Sequence, residues 1–543
     1  MKKLFLLTFG IGLHLFALGQ EAPKDRGLKA INEEAVKGQL EFLASDWMEG
    51  REAGKKGAYM AGDYIATMLE SFGVKPAGDS INYQPNRYQK LLGETDKQAK
   101  SYFQHFSLIE YTPGEQQAFS IIETNKESRK TIHFNYKTDF VVRTRDVSEE
   151  ITAPVVFVGY GISDIEAGYD DYKGVDVQGK IVLRLTGFPG HTEVDSKAYQ
   201  KFKPENPLNL LRKKNQIASE KGALAILEVD LAKDESVNWA ANQPFRQNLP
   251  MYEGDKKLKW FYDTRLVLPG EELSTNIPFV NLSQRAANAL VKEAGVDLST
   301  YEKQVARTQK PASKQITNKQ VAIRTSVNSQ ILQGRNVLGV IEGENPNEII
   351  VVGAHYDHLG KYEGYIWNGA DDNASGTVGI MTIARACIAT GVKPKRTIVF
   401  AGWTGEEKGL LGSKYFVNHL PEGKKIVAAL NYDMISRDSD WDPEGVKVSM
   451  IYTSSMPLID TLTRQHNEDY ELNLDINYAP MEKPVGGSDN GSFAEKDIPV
   501  FWYFIGAHSD YHRPSDHQHK ANWSKFAKIV KLGFLNVWEL ANQ

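Results

Sequence analysis

Across 543 residues there is a single cysteine, Cys387. One thiol cannot close an internal disulfide, and it cannot build a cysteine-based zinc site. Any metal in this chain must therefore be held by histidine and carboxylate. A large excess of either charge is missing too: 64 Lys and Arg against 69 Asp and Glu leave a formal net charge of −5. With no basic excess and no long Lys/Arg stripe, nucleic acid is not an expected partner. Beyond the N-terminus no apolar run reaches the roughly 20 residues that a bilayer span needs. There is no Gly-x-Ser-x-Gly elbow, so a seryl hydrolase lacks its usual nucleophile setting. What is present is apolar content. With 41% hydrophobic and 24% charged residues, the chain can bury sizeable cores, and its length fits two or three domains.

Residues 1–19 read as an export signal. Lys2 and Lys3 form a positive start, Leu4 to Leu18 is mostly apolar, and Ala17-Leu18-Gly19 offers small residues for cleavage. The apolar run is short for an anchor, and no cysteine follows it for lipid attachment. The expectation is a periplasmic or secreted protein without a stable membrane anchor.

Three blocks follow, at 20–140, 141–325 and 326–543. In the first, Ala61, Tyr64, Ile65, Met68, Leu69 and Phe72 recur at helical spacing until Gly73 and Pro76 stop the pattern. The stretch 115–150 is polar and breaks that rhythm. The second block reads as β-rich, with strands at Pro154 to Val158 and Lys180 to Leu185, helices near 208–221 and 284–294, and one histidine, His191. The third alternates short apolar runs (Ile349 to Ala354, Thr397 to Ala401, Val427 to Tyr432, Val500 to Phe504) with helices at 375–390 and 523–541. Such alternation predicts an α/β fold with a largely parallel sheet covered by helices on both sides.

Histidines and acids gather where those strands end. His355 and Asp357 lie in Gly-Ala-His-Tyr-Asp-His, Asp371 and Asp372 in Gly-Ala-Asp-Asp-Asn, and Glu406 and Glu407 in Gly-Trp-Thr-Gly-Glu-Glu. Asp433 closes Asn-Tyr-Asp, and His512 lies in Asp-Tyr-His-Arg-Pro. Ligands of open α/β sheets bind outside the carboxyl ends of strands, so five loops deliver these groups to one edge. His with Asp and Glu suits Zn²⁺ when thiolates are absent. Five ligating residues are too many for one catalytic zinc with an open position. They suit two metals about 3.5–4 Å apart that share a bridging carboxylate and hold a hydroxide between them.

These motifs together resemble the M28 family of zinc metallopeptidases, of aminopeptidase type. Leu43-Ala44-Ser45-Asp46-Trp47-Met48-Glu49-Gly50-Arg51 is similar to that family's N-terminal segment. Val158-Gly159-Tyr160-Gly161 and Tyr169-Asp170-Asp171-Tyr172-Lys173-Gly174 resemble the protease-associated domain often inserted in such enzymes. The resemblance implies a three-layer α/β/α peptidase domain with a mostly parallel or mixed central sheet, interrupted by a β-rich protease-associated domain. It implies two Zn²⁺ per chain and peptide substrates. His355, Asp372 and Asp433 would hold one zinc, Asp372 would bridge, and Glu407 with His512 would complete the other. Glu406 would be the general base, and Asp357 would orient the His355 imidazole. A cis Asp372–Asn373 peptide is also expected. Tyr511 is a candidate substrate contact.

Asp371 reads as structural, and His358, His508, His517 and His519 as solvated or cleft histidines. Asn490 departs from the family's Ser-Asp-His, leaving Ser488 and Asp489 to shape the cleft wall. The same scaffold also carries carboxypeptidase-like hydrolysis, for which Arg437 or Arg513 would clamp a free carboxylate, and glutaminyl cyclisation. A non-catalytic ectodomain resembling the transferrin receptor would show broken metal ligands, and here they are intact.

Overall fold

A computed structural model describes residues 22–125, 128–145, 147–204, 207–231, 264–271, 277–362 and 364–543. The expected export signal at 1–19 lies outside them. The central element is a mixed sheet. In chain order its main strands are β1 (Phe103–Pro113), β2 (Arg265–Val267), β3 (Val327–Ile341), β4 (Asn345–His355), β5 (Arg396–Trp403), β6 (Lys425–Tyr432), β7 (Lys447–Thr453), β8 (Asp475–Met481) and β9 (Val500–Phe504). They lie in the order β2-β1-β3-β5-β4-β6-β9-β7-β8, with Lys75–Pro76 paired beside β3. Strands β5, β4, β6 and β9 run parallel, and their neighbours β3 and β7 run antiparallel to the adjacent strand.

The parallel core is apolar on both faces. Ile350, Val352, Phe400, Ala428 and Leu430 pack against helices α1 (Lys56–Phe72), α2 (Gly376–Ala389) and α3 (Trp523–Asn542). On the other face Val351, Val399, Ala401, Trp403 and Ala429 meet Phe416, Val417, Phe493 and Ala494 from two shorter helices. Helices on both faces require near-continuous apolar strands, and that is why these four strands are readable from sequence. Helix α3 carries the apolar face expected of it, ending its first turn on Phe526 and burying Val530, Phe534 and Val537.

The second sheet starts earlier than the expected boundary at 141. Its eight strands include Ala118–Thr124, Arg129–Phe134 and Phe140–Val142, followed by Glu149–Phe157, Ile181–Leu185, Ala225–Val229, Phe279–Leu282 and Lys314–Thr325. The stretch 115–150 looked polar because its outer strands bury little: in Arg129–Phe134 only Phe134 is buried. Antiparallel edge strands with one solvated face read as polar segments. Within the second block, β2 returns to the first sheet and pairs antiparallel with β1, Leu266 opposite Glu110. The two sheets are therefore stitched by more than the linkers at their ends. Among the described residues no helix is long and apolar enough to cross a membrane.

Candidate metal centre

The parallel strands β4, β5, β6 and β9 all end at one edge, which is where the site forms. His355 is the last residue of β4, Glu406 and Glu407 follow β5, and Asp433 follows β6. Asp372 stands on the turn Ala370–Ser375 that opens α2, and His512 on the loop after β9. His355 Nε2 lies 3.5 Å from Asp372 Oδ1, 3.5 Å from Asp433 Oδ1 and 3.7 Å from Glu406 Oε2. His512 Nε2 lies 3.0 Å from Asp372 Oδ2 and 3.1 Å from Glu407 Oε2. The two oxygens of Asp372 thus face two different ligand groups.

Several of these atoms are orphans. His355 Nε2, Asp372 Oδ2, Glu407 Oε1 and Asp433 Oδ1 are buried without a hydrogen-bond partner. Leaving one such group unpaired costs about 1–3 kcal/mol, and more when it is charged, so four converging at one place need a common partner. Nitrogen and oxygen donors converging in two groups around Asp372 fit Zn²⁺. The acids also hold the imidazoles protonated in the absence of a cation. Burial opposes this at His512, yet Glu407 and Asp372 raise it to about 9.

The surrounding shell fixes the ligands. The Nδ1–H of His355 donates to the main-chain carbonyl of Asp357 at 3.1 Å, which turns Nε2 towards the acids as the nitrogen available to a cation. The Asp357 carboxylate is 3.9 Å from that ring nitrogen and instead accepts the Glu406 main-chain N–H at 3.2 Å. Burial, opposed by His355, pushes the Asp357 carboxyl up to about 7. The Asp372–Asn373 peptide is cis. Asn373 donates to the Tyr432 carbonyl at 2.8 Å and accepts from Gly376 N–H at 2.8 Å, tying the start of α2 to the end of β6. Asp516 Oδ2 accepts the main-chain N–H groups of Asp371 and Asp372 at 2.9 and 3.2 Å. Ser488 hydrogen-bonds the Asp433 carboxylate and accepts from Asn431 at 3.0 Å.

Glu406 stands beside both groups. Burial raises its carboxyl well above the ordinary range; His355 opposes this, and the nearby Glu407 and Asp433 add to it. Tyr511 stacks on His512 with centroids 3.9 Å apart. Burial and the four surrounding acids keep its phenol protonated and able to donate.

Other candidates land elsewhere than expected. His508 is not a cleft residue: it is buried and pairs with Asp371 at 3.2 Å, whose other oxygen accepts from Ser436 N–H and Oγ–H at 2.7 and 2.8 Å. His358 is not solvated either, being completely buried. His517 and His519 stack on one another away from this network. Ser488 and Asp489 are buried supports rather than cleft wall, and Asn490 closes its own loop by donating to Pro484 and Gly486 carbonyls. Arg437 is held by Asp510 at 2.8 Å and Asp516 at 3.6 Å.

Arg51 is the functional residue that carried no role in the sequence reading. It is buried and donates to the carbonyls of Tyr356 (2.8 Å), Asn368 (2.6 Å), Gly369 (2.8 Å) and Leu43 (2.7 Å). It thus clamps the His355 loop to the Asp372 loop. Burial lowers its guanidinium to about 10, opposed by the acids of the site, so it stays charged at neutral pH. Its place in the N-terminal Gly-Arg motif was the available signal.

Residues 336–535 match the sequence profile of peptidase family M28. Leucine aminopeptidase 2 of Trichophyton rubrum is 33% identical over 178 residues, which is 32% of this chain and 34% of that protein. Leupeptin-inactivating enzyme 1 of Streptomyces exfoliatus is 31% identical over 176 residues, 32% of this chain and 36% of that protein. The chain spans about a third of the length of these curated relatives. An aminopeptidase from Aneurinibacillus sp. strain AM-1 shares the fold over 96% of both chains, with TM-score 0.57 and 18% identity. A zinc aminopeptidase from Bacillus subtilis does so over 94% of this chain and 96% of its own, with TM-score 0.52 and 16% identity. The matched stretch, residues 336–535, contains every candidate ligand of this centre: His355, Asp372, Glu407, Asp433 and His512.

Proposed function

We propose that this chain is an exported aminopeptidase that removes N-terminal residues from peptides and works with two zinc ions. One observation carries the reading. The two oxygens of Asp372 face separate ligand groups, and Glu406 stands 3.7 Å from His355 Nε2 without a place in either group. Zinc bound there supplies a Lewis acid for the scissile carbonyl and lowers the pKa of water. Glu406 takes the proton of the attacking water and carries it to the leaving amine; burial raises its carboxyl, so it holds that proton more readily than an exposed glutamate would. Tyr511 donates to the substrate from beside His512. The relatives named leucine aminopeptidase support an N-terminal substrate. The carboxypeptidase alternative loses one clamp, because the Arg437 charge is already met by Asp510 and Asp516. The β-rich second domain has no comparable ligand group among its described residues, and we assign it to walling the cleft. Export rests on the sequence of residues 1–19.

The test is a metal count joined to a substrate panel. Protein never exposed to chelator should hold two zinc ions per chain and cleave N-terminally free peptides in preference to N-blocked ones. Glu406→Gln should keep both ions and lose about 10²–10⁴-fold in kcat. Equal cleavage of blocked peptides overturns the aminopeptidase reading, and near-normal turnover by the metal-replete variant overturns the base assignment.

A further inference from the structure

We propose that His358 is a sixth protein ligand of the metal centre. Its Nδ1 would join Asp372, Glu407 and His512 around the second ion, while the ion held by His355, Asp372 and Asp433 keeps the open position. The proposal rests on the two-zinc reading above.

His358 leaves β4 three residues after His355, and its ring is completely buried. A buried imidazole ordinarily has a hydrogen-bond partner, because desolvating an unpaired polar group is costly. Neither ring nitrogen of His358 has one. Nδ1 comes within 2.7 Å of Glu407 Oε1 and 3.9 Å of Asp372 Oδ2. The short approach to Glu407 is not aligned as a hydrogen bond, and Glu407 Oε1 and Asp372 Oδ2 are themselves buried and unpartnered. Three orphaned donor atoms that converge without aiming at one another are arranged for a shared cation. One atom from each of these residues lies within 4.8 Å of the others.

The second histidine approaches the same carboxylates from another side. His512 Nε2 sits on Glu407 Oε2, whereas His358 Nδ1 sits on Glu407 Oε1. The two imidazole rings are 5.8 Å apart between centroids and inclined at 67°. Two imidazoles and two carboxylates make an N₂O₂ set, which zinc accepts in tetrahedral form.

The fold keeps room for this ring. The main-chain N–H of His358 donates to the Arg51 carbonyl at 3.1 Å. Gly369, at φ +53°, lies against both the ring and the Asp372 backbone: a Cβ there would fall 2.1 Å from the Asp372 main-chain oxygen and 2.5 Å from His358 Cγ and Cδ2. A glycine at that position leaves the imidazole its place between Arg51 and Glu407. The consequence is asymmetry: four protein ligands for one ion and three for the other. The ion held by His358, Asp372, Glu407 and His512 then binds tighter, and the ion held by His355, Asp372 and Asp433 retains the vacancy that a substrate needs.

The test is a metal titration of the full chain, with Zn²⁺ and with Co²⁺ as a spectroscopic probe. Wild type should bind two ions with unequal affinity. His358→Ala should weaken the tighter ion by about ten-fold or more and change the visible spectrum of Co²⁺ at that site. In the wild-type di-cobalt form, three exchangeable imidazole N–H resonances should be hyperfine-shifted, a readout that does not depend on any variant folding. Two such resonances, or wild-type affinity and spectrum in His358→Ala, overturn the assignment of His358 while leaving the two-metal reading in place. A wild-type stoichiometry below two overturns that reading and the proposal with it.

Discussion

The Nδ1–H of His355 is held by the main-chain carbonyl of Asp357 at 3.1 Å, while the Asp357 carboxylate accepts the main-chain N–H of Glu406 at 3.2 Å. One residue therefore orients the proposed metal ligand His355 with its backbone and the loop of the proposed base Glu406 with its side chain. The two duties can be separated by mutation. Asp357→Asn keeps an acceptor for Glu406 and should retain most of the activity. Asp357→Ala should lower kcat by about 10–100-fold while holding both metals, because the His355 bond is to the backbone. Loss of metal from Asp357→Ala, measured by elemental analysis, would show that the carboxylate supports the ligand after all.

Arg51 should behave as a structural clamp. Its four bonds to buried carbonyls cannot be replaced by an apolar chain of similar length. Arg51→Met should lower stability by about 3 kcal/mol or more and loosen metal binding. Arg51→Lys should recover only part, since an ammonium lacks the planar fork that reaches carbonyls on two loops. Thermal melting of the metal-free and metal-loaded proteins reads both effects.

Asp516 holds the backbone of Asp372, the proposed bridging ligand, from outside both ligand groups. Removing its carboxylate in Asp516→Ala strands the N–H groups of Asp371 and Asp372 and leaves Arg437 with one acid fewer. Metal affinity should fall about 10–100-fold, measured by chelator competition. An unchanged affinity would mean that the cradle around Asn373 is sufficient by itself.

In the second domain, Asp171 gives a pH dependence with a definite sign. The carboxylate is fully buried and accepts Tyr160 N–H, Ile162 N–H and the Tyr169 hydroxyl at 3.0, 3.1 and 2.9 Å. Burial nevertheless pushes its carboxyl up from 3.8 to about 7, against those bonds. Between those two values the folded chain holds the proton more tightly than the unfolded one. Asp171 therefore makes stability fall as pH rises from about 4 through 7, with no further change above. Asp171→Asn, compared with wild type by melting at pH 5 and pH 8, should abolish this part of the slope. Parallel pH profiles for the two proteins would rule the contribution out.

Much of the half built on the first sheet was legible because its parallel strands are apolar on both faces and its helices periodic. The runs around Ile349, Thr397, Val427 and Val500 matched β4, β5, β6 and β9 for that reason. Strands β3, β7 and β8 were missed because they alternate or are exposed: the first half of β3 is largely solvated, and Asp475–Met481 lies at the sheet edge. The start of the second sheet at Ala118 was hidden in the same way.

The sequence by itself determined the chemistry available. One cysteine excluded thiolate zinc, and His355, Asp372, Glu406, Glu407, Asp433 and His512 fall at strand ends whose parallel direction brings them to one edge. Local pattern cannot say which neighbours share a point in space. The tertiary structure decided that Asp357 serves Glu406 with its side chain, and that His508 is bound to Asp371. It also placed the residue eight positions after Leu43, Arg51, across two loops more than 300 positions away. His358 shows the difference most clearly. Its neighbours along the chain mark it only as one more histidine of a motif. A glycine at 369 and a carbonyl at 51 give it a buried seat against Glu407, and only the folded chain brings those two together.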